Sequence, residues 1–599
     1  MAIKKYQDFS WWLNLNDSSK IGDNEFVIAK NVNYNNSRQL QTRRGYRKFG
    51  NPIGAAPITS YFYWQHDSNL DRHAICASWW SMYKYDESTG DWSAIHTDNS
   101  EFEDNVGVTG NRTRRDFAVY KNVAYMCNGV NPYSSFDWTT FTHIGLGVAT
   151  ACTFDSSTDY VTSAWHWLET NDEVIFELDG GTLPAEVAVH RVYVVTKISN
   201  NDFQISTYSW WPVLNFTDNG TATVNFQKVN QPSVRYIQYL GDRIYAAWDD
   251  QNPSTLYYTW AAPTDGNNIG ANAVVVWWDE NGVVNWLNQY SQLVLVFKSD
   301  KVYSVNVATP SVDAIDSQTG WYSDRSIHSV GNTLAYFNER GIDTLTKRSG
   351  VGWVSGIESK PLSDNVRALL ENITEAQYNS CVWWYVKKLN NFYFSFDTNN
   401  DNIPDTTLVY SSSVWSWTQY TIPNLYDYGE YVNSDNELQM LFASALGGQM
   451  YQFEYWFDDD GEPIEVELQT KPFDFDDPAQ LKVFSFVDVT GYKQEGWNID
   501  ISLLVDDDVV SMWSITDSNI ETDAPIWILG IDAIGEKALW WPWSEWLQLY
   551  PFTVRLKIYE RGSDIAVKLS STGVQRVLDK IRVWVDGEVK TMFSYDNII

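Results

Sequence analysis

Cysteine is scarce in this chain, with four in 599 residues, and Cys76, Cys127, Cys152 and Cys381 are far apart with no C-x-x-C pair. That excludes a dense disulfide framework and a cysteine-built zinc site. The four are expected as buried thiols of a protein made in a reducing cytoplasm. Histidine is also sparse: His66, His73, His96, His143, His166, His190 and His328 show no H-E-x-x-H or other metal-binding spacing. No apolar run approaches the roughly 20 residues of a membrane-spanning helix. The opening MAIKKYQDFSWW has no apolar core of the secretory type. Helical periodicity is nearly absent. The one candidate is SDNVRALLENITEAQYN (363–379), with Ser363 or Asp364 as cap and Val366, Leu369, Leu370 and Ile373 on one face.

Positive charge is the other shortage. Forty-two Lys and Arg face 76 Asp and Glu, a net charge of -34. Such a surface repels a nucleic-acid backbone, so tight phosphate binding is excluded. Residues 1–50 run against the trend, with nine Lys/Arg (Lys4, Lys5, Lys20, Lys30, Arg38, Arg43, Arg44, Arg47, Lys48) against Asp8, Asp17, Asp23 and Glu25. Nine minus four is +5, which leaves -39 for the remainder. A basic arm on an acidic body suits like subunits that dock head to tail, with the arm tying one subunit to a neighbour; the alternative is a solvated basic surface.

What the chain has in abundance is aromatic residues, 16% of the total, including 31 Trp and 36 Tyr. These favour strands. Short alternating runs separated by Gly, Asn, Asp and Pro read as all-β. FAVYKNVAYMCNG (117–129), YIQYLGDRIYAAW (236–248), LVLVFKSDKVYSV (293–305) and IHSVGNTLAYFNERG (327–341) each read as a strand, a tight polar turn and a second strand. Such units recur at about 57–96, 112–145, 231–262, 286–308, 324–350, 376–422 and 436–456. Repeated strand-turn-strand units predict a β-propeller of six or seven degenerate blades.

Two stretches break the rhythm. Residues 165–207 carry strands of their own (Val174-Ile175-Phe176, Val192 to Val195, Phe203-Gln204-Ile205), so 150–230 is read as a small inserted β-module. Its apolar runs are short, and it is expected to pack on the propeller or on a neighbour. After residue 460 the strands lengthen (473–492, 498–508, 552–562, 579–588), which predicts a C-terminal antiparallel β-sandwich. The expected division is an N-terminal arm and closing strand at 1–56, propeller at 57–149, the inserted module at 150–230, propeller again at 231–458, and the sandwich at 459–599.

The opening NLNDSSKIGDNEFVIAKNVNYNNSRQLQTRRGY (14–46) resembles the start of bacteriophage virion proteins of the propeller type, with their pattern N-x-R-D … E-x-x-x-x-x-N-V … L-x-x-R-x-G. DFAVYKNVAYMCNGVNP (116–132) is similar to their blade pattern D-F-A-x-x-x-x-x-L-Y-x-x-N-G. The module at 165–207 resembles a small β-domain of phage tail proteins, and KPFDFDDPAQLKVFSFVDV and AVKLSSTGVQRVLDKIRVWV resemble their C-terminal domain. The family is the tail nozzle (tail tubular protein B) and packaged-DNA-stabilising group of short-tailed phages. The resemblance implies a structural virion protein made in the host cytoplasm. It also implies a homo-oligomeric ring, a hexamer, around a DNA-exit channel in the tail, in contact with other tail and adaptor proteins. An acidic lining would let double-stranded DNA pass without sticking; the alternative is that the charge only keeps a large protein in solution. The alternatives are a head-completion protein that retains packaged DNA, and a glycan-binding or glycan-cleaving tail propeller.

DTNNDNIPD (397–405) spaces oxygen donors as a calcium loop does. Asp397, Asn399, Asp401, the carbonyl of Ile403 and Asp405 are the candidate ligands for Ca2+. Asn402 stands where the loop usually has Gly, and Leu408 where it has a bidentate Glu. The alternative is a hairpin loop built from Asx turns. Asp458 to Gly461 and Asp506 to Asp508 read as further turns. No P-loop or G-x-S-x-G occurs, DSQTGW (316–321) is only faintly like a sialidase Asp-box, and no acid pair stands out, so no catalytic residue is assigned. The Trp pairs 11–12, 79–80, 210–211, 277–278, 383–384 and 540–541 are expected in core or subunit interfaces rather than on sugars.

Overall fold

The computed structural model describes residues 3–4, 13–15, 21, 25–34, 40–65, 71–78, 81–97, 114–209, 211–221, 224–276, 283–290, 293–298, 301–306, 311–315, 325, 327–330, 333–338, 340–347, 357–371, 373–378, 380–455, 458–474, 482–493, 498–519, 526–529, 546–562, 564–572, 576–586 and 590–591. Among these the chain is almost wholly β. Five separate four-stranded antiparallel sheets span 58–97, 116–143, 234–275, 284–314 and 327–361. Two further four-stranded units sit within larger sheets. One spans 382–421; the other is made of Leu425–Val432, Leu438–Ser444 and Met450–Phe453, with Tyr46–Phe49 as its fourth strand. In chain order these are sheets 1 to 7.

The sheets pack face to face in a closed order. Each first strand lies against the first strand of the next sheet, and Leu425–Val432 of sheet 7 lies against Ile58–Gln65 of sheet 1. The alternation of strand side chains explains this. In Val382–Val386, Trp383 enters the core shared with sheet 5, beside Phe337 and Phe394. Val382, Trp384 and Val386 enter the core shared with sheet 7, beside Tyr428 and Phe442. A strand covered on both sides can be apolar at every position, and burying these rings supplies the main driving force. A separate apolar core fills each remaining gap, including the one between sheets 7 and 1, where Tyr431 and Leu441 meet Ile58 and Cys76. All four cysteines are buried, and none is in a disulfide.

The hairpin turns follow residue chemistry. Lys121 and Asn122 both take positive φ (49° and 65°), as a two-residue type I′ turn requires. Asp460 and Gly461 do the same, as do Asp506 and Asp507.

Between sheets 2 and 3 the segment 150–229 forms a closed six-stranded barrel. It has its own core of Phe154, Val161, Val174, Phe176, Tyr193, Val195, Phe203, Ile205 and Phe226, and it also bonds to sheets 2 and 3 through Asn131–His190 and Ser233–Glu173. Alternate residues of short strands point inward in a barrel, so no long run is needed.

The C-terminal strands form two sheets that share strands with the N-terminal segment. Phe26–Lys30 pairs with Glu465–Thr470, and Leu40–Thr42 pairs with Arg576–Asp586. The described part of the N-terminal segment is thus woven into its own chain. The helix expected over 363–379 is instead a 3-10 turn at Asp364–Val366 and two short helices, Arg367–Leu370 and Glu375–Tyr378. Ser363 does not cap it; its Oγ accepts the Ile342 N–H at 2.9 Å. The break comes at Thr374, whose N–H donates to Gln377 Oε1 at 2.8 Å, a capping-box contact that starts a new helix. No helix among the described residues is long and apolar enough to cross a membrane.

Candidate functional site

The loop 397–405 joins two strands of sheet 6 (Asn391–Phe396 and Thr406–Ser411). Asp397 is fully buried. Its Oδ1 accepts the N–H groups of Asn399 (2.9 Å) and Asn400 (2.8 Å), and its Oδ2 accepts that of Asn402 (2.7 Å). Asn399 Oδ1 accepts the Asp401 N–H at 3.0 Å, and Asp401 Oδ1 the Ile403 N–H at 2.8 Å. Asp405 accepts the Thr398 hydroxyl at 2.8 Å. Asn400 and Asn402 take positive φ (67° and 64°). The alternation that suggested calcium ligands is used here by nested Asx turns, each side chain taking the amide two residues on. Among the described residues Asp397, Asp401 and Asp405 do not bring carboxylate oxygens within 4.8 Å of one another.

Of the Trp pairs, Trp383 and Trp384 are buried on opposite faces of one strand. Trp211 is half-buried against Tyr208, and the other members lie outside the described residues. Among the described residues the most exposed tryptophans are Trp167 of the barrel at 83%, Trp260 of sheet 3 at 66%, and Trp165 of the barrel and Trp415 of sheet 6 at 63% each.

Three basic residues of the N-terminal segment, Arg43, Arg47 and Lys48, are engaged within the chain. Arg43 is buried, and all five of its N–H donors are used. Nη1 and Nη2 grip Asp459 Oδ1 (2.8 Å) and Oδ2 (2.6 Å). Nε donates to Asn31 Oδ1 (2.9 Å), Nη1 also to the Arg44 carbonyl (3.0 Å) and Nη2 to that of Thr421 (2.9 Å). Asn31, at φ 56°, donates from Nδ2 to Thr421 Oγ1 and the Glu465 carbonyl, both at 2.7 Å. A Cβ on Gly45 would stand 1.6 Å from the Asp458 carbonyl oxygen. Arg47 donates to Gln452 and lies over Tyr455 at 3.4 Å, and Lys48 pairs with Asp460 at 3.1 Å. Asn31, Arg43 and Gly45 are the Asn, Arg and Gly of the opening pattern. They knot the N-terminal strands, the rim of sheet 6, the strand that closes sheet 7, and the start of the C-terminal sheets.

The second quoted pattern forms a second junction. Asp116 Oδ2 accepts the Ile237 N–H at 2.8 Å, and Tyr125 Oη accepts the Gly266 N–H at 2.9 Å, both from sheet 3. Asn128 Oδ1 accepts the N–H of Asn131 at 2.8 Å. Gly129 at φ 73° donates to the Val234 carbonyl at 2.9 Å, where a Cβ would meet Arg235 Cβ at 3.3 Å. Asn131 Nδ2 reaches across to the His190 carbonyl of the barrel at 3.0 Å.

Two groupings were not visible in sequence. Glu173 of the barrel is buried against sheet 3, its carboxylate taking Ser233 Oγ (2.6 Å) and Gln251 Nε2 (3.1 Å). Burial, and then the nearby Asp249, raise its pKa from 4.5 to about 7. Asp249 takes the Tyr257 hydroxyl at 2.7 Å. Two close acids of this kind could do proton transfer, but both are filled by bonds from their own chain. The other grouping is His96, His143 and His190, half-buried, one ring nitrogen of each lying within 4.8 Å of the others. Their separation in sequence hid them, and only the docking of sheets 1 and 2 with the barrel unites them.

No family model matches this chain, and no curated protein matches it. Among solved structures it is similar to an exo-β-1,3-galactanase from Phanerochaete chrysosporium, at 10% identity over 58% of this chain and 95% of that one, with a TM-score of 0.21. It is also similar to the extracellular domain of a hybrid two-component system from B. thetaiotaomicron, at 12% identity over 67% of this chain and 51% of that one, with a TM-score of 0.22. Scores this low carry no argument about activity.

Proposed function

We propose that this chain is a seven-bladed β-propeller subunit of a ring-shaped phage tail nozzle or adaptor, a structural virion protein through whose ring double-stranded DNA leaves. The observation that carries the reading is the junction around Arg43. The residues on which the resemblance rests are those that lock the N-terminal segment, the closing strand and the C-terminal sheets into one unit. A ring under load from moving DNA needs a subunit whose parts do not shift. The charge of -34 supports the same reading, because an acidic channel offers phosphates no cations to bind. No catalytic role is proposed, since the buried pair Glu173 and Asp249 serves the contact between barrel and sheet 3. Electron microscopy of the purified chain together with its tail neighbours tests the reading. Closed rings with a central channel are expected, and particles of single-chain size throughout contradict it.

A further inference from the structure

We infer that His96, His143 and His190 bind one divalent transition-metal ion, of the zinc class, that pins the inserted barrel to sheets 1 and 2. His96 lies in the outermost strand of sheet 1 (Asp91–Thr97) and His143 in that of sheet 2 (Phe141–His143). His190 comes from the barrel segment before Tyr193–Lys197. Three neutral imidazoles are a usual zinc ligand set, with a fourth position left for water or a carboxylate. Their ring nitrogens already stand within 4.8 Å of one another, against the roughly 3.3 Å between ligands that tetrahedral bonds of 2.0–2.1 Å imply. Binding one ion requires the three ring nitrogens to close to that spacing.

Two features separate this cluster from simple packing. The first is a tautomer. Ser134 Oγ donates its single proton to the Pro132 carbonyl at 2.8 Å. Its 2.9 Å contact with His143 Nδ1 therefore requires Nδ1 to carry the proton and donate it. Nε2 of His143 is then the unprotonated nitrogen, the form that ligates a metal, fixed by a hydrogen bond of the kind that orients ligand histidines. The second is that His190 is held on both sides at a positive φ of 59°. Its N–H donates to the Phe176 carbonyl at 3.1 Å, and its carbonyl accepts Asn131 Nδ2 at 3.0 Å. These two bonds fix the backbone from which the His190 ring projects. Glu177 Oε1 lies 3.7 Å from His190 Nε2, a negative charge at the margin that favours a cation. Phe141 stacks flat on His96 at 3.9 Å and restricts that ring.

The test is a titration of the full chain, stripped with chelator, with Co2+ read by visible absorption and then displaced by Zn2+. One ion per chain is expected, with ligand-field bands that zinc abolishes, and a melting temperature that rises on metal addition. His143→Ala and His190→Ala should each lose the bands, and Ser134→Ala, which keeps every imidazole, should weaken zinc binding about 10–100-fold. For each variant the rise in melting temperature on metal addition, measured against the same variant in chelator, should shrink in step with its binding. Absence of stoichiometric binding by the parent, or binding that survives loss of both His143 and His190, overturns the site. Because the titration is made on the isolated chain, its outcome is independent of whether rings form.

Discussion

Arg43 is the residue on which most of this architecture converges. Its guanidinium is out of contact with solvent, and its partner Asp459 is partly buried. Burial opposes the charge, but the hydrogen bonds and charge of Asp459 more than offset it, so the pKa of Arg43 is raised. Removing one member of a buried pair strands the other. Arg43→Ala and Asp459→Asn should therefore each cost about 3–5 kcal/mol in denaturant unfolding, since the amide turns one accepting oxygen into a donor and leaves the buried guanidinium without its counter-charge. A loss below about 1 kcal/mol for Arg43→Ala would show that the knot does not hold the chain together. Asp397 sets a second residue-scale expectation. It accepts three backbone amides while fully buried. Asp397→Ala should lower stability by about 1–3 kcal/mol, equally with calcium and with chelator. A loss confined to calcium-containing buffer would restore the cation reading of the loop. Here the sequence was readable in part: the alternation of Asp and Asn marks the loop, but turn and calcium site use the same residue types, and only the aim of each oxygen separates them.

At the scale of elements, the barrel and sheet 3 meet through Glu173. Its folded pKa of about 7 lies above the ordinary 4.5, so the folded state binds this proton more tightly than the unfolded chain. The contribution is fully present below pH 4.5 and is lost as pH rises through 7. The size is on the order of 3 kcal/mol. Thermal melts in chelator between pH 5 and 8 should show stability falling with pH (window set by the 4.5 and 7 values). Glu173→Gln should flatten that slope. An unchanged slope in the variant would assign it to other groups. The hairpins were legible from turn chemistry, Lys121-Asn122 and Asp460-Gly461 being the clearest. The helix over 363–379 was misjudged because its apolar spacing hid the capping box at Thr374 and Gln377. The barrel's own core was also hidden, since short strands reveal an inside only once closed.

For the whole molecule, the repeat of strand-turn-strand units announced the circle of sheets, while the fourth strands, such as Asn272–Val275, are too plain in sequence to mark. The closing strand Tyr46–Phe49 and the shared strands of the C-terminal sheets pair across some 400 residues, beyond any local pattern. The three histidines were lost for the same reason. What the chain does in company follows from the surface it presents, and the central claim is that like chains close into a ring. Native mass measurement of the purified protein, at rising concentration and with the tail proteins proposed as its neighbours added, tests this most directly. The account predicts a discrete species at six times the 68.9 kDa chain mass. A species that stays at 68.9 kDa under every one of those conditions would contradict it.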